Sequence, residues 1–251
     1  MEDRASRHNR RRLGESGDPR TSIRDPRSPP REGWLASLWY DSVFLASMTG
    51  FTLGFSLRTE GMEHVPVAGP ALLIANHQSY LDPPLVGLAA RRHLRFLARK
   101  TLFGHAVFAR LIRSLNAVPI DQEGLGLEGL RVILHHLKAG EAVLVFPEGE
   151  RTHDGQLQPL RPGVQLLIKR ARAPVVPVGI AGAFEAWPRW RNYPLPAPLL
   201  LATGKRALAV SIGPPLDADR LLGLPRDRLL GALSADLHRV MTRAERLRRK
   251  A

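Results

Sequence analysis

Short, nearly unbroken apolar runs alternate along this chain with stretches in which apolar residues return every three or four positions. The runs 71–75, 95–98, 117–120, 142–146, 175–180 and 207–212 have the length of strands. The intervening stretches 83–91, 103–114, 125–138, 162–172 and 226–249 read as helices. In the third of these, Leu127, Leu130, Ile133, Leu134 and Leu137 form one stripe suited to packing on a sheet, and Gly140 stops it. From residue 61 onward the alternation predicts α/β architecture.

The stretch before it has a different pattern. Trp34, Trp39 and Tyr40 precede Asp41, and the sixteen residues from Ser42 to Leu57 carry no charge. A membrane span needs about 20 mostly apolar residues, and this run is diluted by Ser47, Thr49, Gly50, Thr52, Gly54 and Ser56. It predicts a membrane-associating helical segment over 34–58, interfacial or re-entrant, with aromatic rings at the headgroup boundary. An ordinary helix packed on the domain is the competing reading. Residues 1–33 hold nine Arg and six acidic residues with little to bury, the composition of a disordered basic tail. They lack the early apolar core of a secretory signal. The remaining residues, 59–251, are expected to form one domain.

Composition narrows the chemistry. With no cysteine in 251 residues there is no disulfide framework, thiolate metal site or cysteine nucleophile. His77 has no HxH or HxxxH neighbour, so no metal is expected there. The formal net charge is +14, and the seven bases between Asp82 and Asp121 meet no acid. Such a field attracts phosphates, and an anionic membrane surface is the expected partner. No helix-turn-helix, zinc-finger or RNA-binding aromatic signature accompanies the charge, so nucleic acid is not.

Two loops carry the candidate chemistry, each directly after an apolar run. Asn76-His77-Gln78-Ser79-Tyr80-Leu81-Asp82 supplies a base and a group to orient it, because a carboxylate that accepts one imidazole N–H fixes the tautomer of the ring. Residues five apart on a helix point away from each other, so the loop must fold back for His77 and Asp82 to meet. Asp82-Pro83-Pro84 makes that feasible, with Asp as helix cap and Pro in the first turn. The second loop is Pro147-Glu148-Gly149-Glu150-Arg151, after Phe146. Strand ends are where ligands gather in open α/β sheets, which places both loops at one cleft. Glu148 and Arg151 either pair with each other or leave the guanidinium as a phosphate fork. Ser79 lacks the GxSxG elbow of a serine hydrolase.

Over about 61–213 the chain resembles the glycerolipid acyltransferases, typified by the lysophosphatidic acid acyltransferases. Asn76, His77 and Asp82 complete the NHxxxxD motif, and Phe146, Pro147, Glu148, Gly149 and Arg151 match the FPEG motif with its arginine. Val176-Pro177-Val178 matches a further segment. The resemblance implies a glycerol-3-phosphate acyltransferase-like fold: a single domain with a mixed, largely parallel sheet flanked by helices. It implies a catalytic pair, His77 and Asp82, and substrate contacts from Asn76, Lys100, Phe146, Pro147, Glu148, Gly149 and Arg151. The reaction it implies moves a fatty acyl group from acyl-CoA or acyl carrier protein to a lysolipid acceptor, at the cytoplasmic face of a membrane, with no permanently bound cofactor. One departure stands out: after Ile120-Asp121 the family places an arginine associated with glycerol phosphate, and here the residue is Gln122. Glutamine can hydrogen-bond a phosphate without neutralising it. The acceptors implied are therefore 1-acyl-glycerol-3-phosphate and, as an alternative, another lysolipid such as a lyso-ornithine lipid. Non-catalytic lipid binding is the reading of a different class.

Overall fold

The computed structural model describes residues 34–121, 126–198 and 206–249, without the side chains of 34–41, 107, 108, 111 and 218. The tail 1–33 and Gln122 lie outside the described residues. A seven-stranded sheet forms the centre, in the order β1 (Arg58–Glu60), β7 (Ala209–Ile212), β6 (Val175–Ala181), β2 (Ala71–Ala75), β5 (Ala142–Val145), β3 (Leu94–Arg99) and β4 (Ala117–Ile120). All neighbours run parallel except β6 and β7, which are antiparallel, so the sheet is mixed and largely parallel as expected. Each of the six strands expected from the apolar runs is present. The three-residue β1 was not foreseen, because Arg58-Thr59-Glu60 carries no strand pattern and pairs only with β7. It also begins at residue 58, inside the stretch assigned to the membrane-associating segment.

The sheet is covered on both sides, which is why β2 and β5 are apolar at every position. Along β2, Ala71, Leu73 and Ala75 face a layer containing α2 (Asp82–Ala90) and α3 (Ala106–Ser114). Leu72 and Ile74 face the other, with α4 (Leu127–Lys138), α5 (Gly163–Ala171) and α8 (Arg226–Arg249). The short α6 (Ala183–Ala186) and α7 (Ala218–Leu222) complete the chain. β6 runs along α8 so closely that a Cβ on Gly179 would lie 2.2 Å from the Val240 carbonyl carbon.

The first helix, α1 (Trp34–Phe55), has a divided character. Phe44, Met48, Phe51 and Phe55, at i, i+4, i+7 and i+11, pack against the core on one face. Leu45 and Leu53 stand 66% and 57% exposed on another. No helix among the described residues is long and apolar enough to cross a membrane.

Candidate active site

Parallel β2 and β5 are neighbours and end at the same edge of the sheet, which brings the two polar loops together. His77 is the second residue after β2, and its amide N–H donates to Glu148 Oε1 at 2.6 Å, across from the loop after β5. Its carbonyl accepts from the Thr152 amide at 2.8 Å. The backbone of the histidine is thus pinned on both sides by the second loop. Its ring stacks on Phe146, with centroids 3.9 Å apart and planes inclined by 13°.

His77 Nδ1 donates to Asp82 Oδ2 over 2.7 Å. The same oxygen accepts the amides of Gln78 at 2.5 Å and Ser79 at 2.8 Å, so one carboxylate oxygen closes the loop on itself. Asp82 was expected to cap the following helix. Instead it is the first residue of α2, behind Leu81 as N-cap, and its side chain turns back to the loop amides. Pro83 and Pro84 explain this in part, since neither has an N–H to offer. Asp82 is fully buried, and its Oδ1 has no hydrogen-bond partner among the described residues. With Nδ1 protonated toward the carboxylate, His77 keeps Nε2 as the basic nitrogen.

The ring borders an open cavity of about 430 Å³. Apolar side chains dominate its wall, among them Phe51 of α1, Phe96 of β3, Leu102, Ile112 of α3 and Phe146, while Tyr80, Gly149 and Arg151 line it together with His77. The expectation that the two loops share one cleft is therefore met by His77, Phe146, Gly149 and Arg151.

The remaining expected residues fall elsewhere. Asn76, expected at the substrate, is a buried clamp: Nδ2 donates to the Ile180 carbonyl at 3.0 Å and Oδ1 accepts the Ile180 amide at 2.8 Å, so both ends of its amide are taken up by β6. Glu148, expected with it, is buried and holds the backbone through His77 N–H and Gln158 N–H, the latter at 2.7 Å on Oε2. Burial outweighs these two donors and pushes its carboxyl up to about 8. Pro147 contributes its carbonyl, which accepts from the Arg161 amide at 2.7 Å. Lys100 pairs with Asp121 at 2.7 Å on the exposed surface, and its neighbours Arg99 and Thr101, rather than Lys100, line the cavity.

Arg151 and Glu148 do not pair with each other. The Arg151 guanidinium carbon lies 3.6 Å from the centroid of the Tyr80 ring, and its Nη1 is buried with no hydrogen-bond partner among the described residues. Desolvation lowers its affinity for the proton, the cost of keeping a cation in a half-buried site. Tyr80, Thr152 and Gln158 are parts of the site that sequence reasoning did not single out. Ser79 is fully buried, donating its hydroxyl to the Trp187 carbonyl at 2.9 Å and accepting the Leu81 amide, an arrangement that leaves it a fold contact. Among the described residues no three His, Asp or Glu side chains cluster as metal ligands.

A base steadied by a buried carboxylate, set against a largely apolar cavity with a guanidinium that keeps one nitrogen unpaired among the described residues, has the geometry to move a proton beside a lipid-like substrate. Residues 56–181 match the family model described as Acyltransferase, and the chain belongs to that family of enzymes. It is 26% identical over 183 residues to the 1-acyl-sn-glycerol-3-phosphate acyltransferase of Bacillus subtilis, covering 72% of this chain and 84% of that one. It is also 26% identical to a chloroplastic 1-acyl-sn-glycerol-3-phosphate acyltransferase of Arabidopsis thaliana, over 68% of this chain and 47% of the relative, so it spans about half the length of that plant protein. The crystal structure of the 1-acyl-sn-glycerophosphate acyltransferase PlsC from Thermotoga maritima superimposes with a TM-score of 0.67 at 25% identity, covering 86% of this chain and 82% of that one.

Proposed function

We propose that this acyltransferase moves a fatty acyl group from acyl-CoA or acyl carrier protein to the free hydroxyl of 1-acyl-glycerol-3-phosphate, at the cytoplasmic face of a membrane, in phospholipid biosynthesis. The observation that carries the reading is the 2.7 Å His77–Asp82 contact at the wall of the apolar cavity. His77 Nε2 takes the hydroxyl proton as the acceptor oxygen attacks the thioester carbonyl. The tetrahedral intermediate collapses, the carbon–sulfur bond breaks, and the imidazolium returns its proton to the departing thiolate. Asp82 stabilises the imidazolium while it exists and holds its orientation. No bond to the protein forms, in keeping with the buried, engaged Ser79 hydroxyl.

The cavity's apolar wall suits an acyl chain, and Arg151, with one nitrogen unpaired, suits a phosphate. The arginine favours a phosphate-bearing lysolipid over an uncharged acceptor. Membrane contact is supported by the exposed Leu45 and Leu53 of α1, whose opposite face is packed on the domain; the helix would lie at the interface rather than cross it. The test is transfer of a labelled acyl group to a panel of lysolipids differing only in head group. Transfer to the phosphomonoester acceptor in preference to lyso-ornithine lipid and monoacylglycerol is expected. Preference for another head group would overturn the acceptor assignment.

A further inference from the structure

After α6, residues 187–198 form a proline-interrupted strap with no regular structure. One end is fastened to the catalytic loops. The Trp187 carbonyl accepts the Ser79 hydroxyl, the Trp187 ring lines the cavity, and Arg189 Nη1 reaches the Arg151 carbonyl at 3.4 Å and His153 Nε2 at 2.7 Å. The other end is fastened to α1. The Ala197 amide donates to the Gly54 carbonyl at 2.8 Å, and the Ser56 hydroxyl donates to the Ala197 carbonyl at 2.9 Å. The strap therefore links the active site to the helix that carries the exposed Leu45 and Leu53.

Its middle is built unlike a lid over a core. Trp190 and Tyr193 are 63% and 78% exposed, and Arg189 and Arg191 beside them are exposed as well. Trp187 Nε1 donates to the Arg191 carbonyl at 2.8 Å, and Phe184 meets the Trp190 ring edge-on at 5.3 Å, so the outward rings sit on a braced backbone. Two large aromatics held in water cost free energy unless something covers them. Tryptophan and tyrosine favour the headgroup layer of a bilayer, where one end of the ring is dry and the other wet, and arginine favours anionic lipid beside them.

We infer that residues 187–198 are an interfacial anchor for an anionic phospholipid bilayer, in which Trp190 and Tyr193 enter the headgroup layer and Arg191 meets lipid phosphate. The inference deepens the membrane-associated reading above and rests on it. Together with the outer face of α1 the strap sets the cavity mouth against the membrane, so that a lysolipid reaches His77 without crossing bulk water.

The test uses the full chain with vesicles of mixed phosphatidylcholine and phosphatidylglycerol. The double substitution Trp190→Ser with Tyr193→Ser should weaken partition onto these vesicles by about tenfold or more, since two buried rings contribute more than one decade of affinity. Quenching of tryptophan fluorescence by lipids brominated near the head group should fall in Trp190→Phe. Turnover of lysolipid embedded in vesicles should drop in the double variant, while turnover of a short-chain lysolipid dissolved as monomers stays unchanged. Undiminished vesicle affinity, unaltered quenching, or an equal loss of rate on both presentations would overturn the inference. A chain that needs Trp190 and Tyr193 for vesicles yet acylates no lysolipid would instead count against the proposed reaction alone.

Discussion

The guanidinium carbon of Arg151 stands 3.6 Å from the centroid of the Tyr80 ring, within the wall that also holds His77. The aromatic face supports a cation whose charge is partly desolvated, and one nitrogen stays unpaired among the described residues. The contact with the ring positions the cation before any substrate arrives.

Arg151→Lys keeps the charge but replaces the planar bidentate fork with a point charge. It should raise KM for a phosphate-bearing lysolipid by about tenfold or more, the equivalent of one charge-assisted hydrogen bond. KM for monoacylglycerol should not change. Steady-state kinetics on the two acceptors check this, and an equal effect on both would show that Arg151 does not act on the phosphate.

Asp82 performs two tasks that two substitutions separate. Asp82→Asn retains an oxygen for the Gln78 and Ser79 amides but no negative charge to stabilise the imidazolium, so the rate should fall roughly a hundredfold or more with the fold preserved. Asp82→Ala also leaves those two amides without an acceptor, at about 1 to 3 kcal/mol each. Thermal unfolding read beside turnover should show rate loss alone in the first variant and loss of both in the second.

Much of this site was legible because its residues are close in sequence. His77 and Asp82 are five positions apart with prolines behind them, and the unbroken apolar runs before each loop follow from strands covered on both faces. What could not be read depends on contacts between distant segments. Asn76 looks like a polar loop residue until β6 places Ile180 beside it, 104 positions away. Tyr80 meets Arg151 only because β2 and β5 are neighbours. The Glu148–Arg151 alternative resolved against pairing because Glu148 is taken up by amides from two segments. In α1 from Ser42 on, absence of charge signalled apolar surroundings but could not divide the helix into a face on the core and a face left open.

Glu148 should tie stability to pH. Its carboxyl rises from an ordinary 4.5 to about 8 on folding, so between these values the folded state holds a proton that the unfolded chain has released. This contribution is fully present below pH 4.5 and is lost as pH rises through 8. Glu148→Gln, which never ionises, should flatten the decline in stability over that window. Denaturant titrations at several pH values measure it, and an unchanged slope would assign the decline to other groups.

The contact between β6 and α8 leaves no room for a methyl group at Gly179, where a Cβ would fall 2.2 Å from the Val240 carbonyl carbon and 2.3 Å from its oxygen. Gly179→Ala must push helix and sheet apart, at about 3 kcal/mol of stability or more. Since β6 also anchors Asn76, the melting temperature and the rate should fall together. A variant as stable as the parent would show that the helix yields at little cost.

The most direct measurement is acyl transfer to 1-acyl-glycerol-3-phosphate by the purified protein and by His77→Ala, with thermal unfolding of both as control. A ring bonded to Asp82 and lining the cavity should be worth roughly 10² to 10⁴ in rate, so the variant should lose that factor while unfolding at a similar temperature. A folded His77→Ala protein that transfers acyl groups at the parent's rate would contradict the assignment of the base.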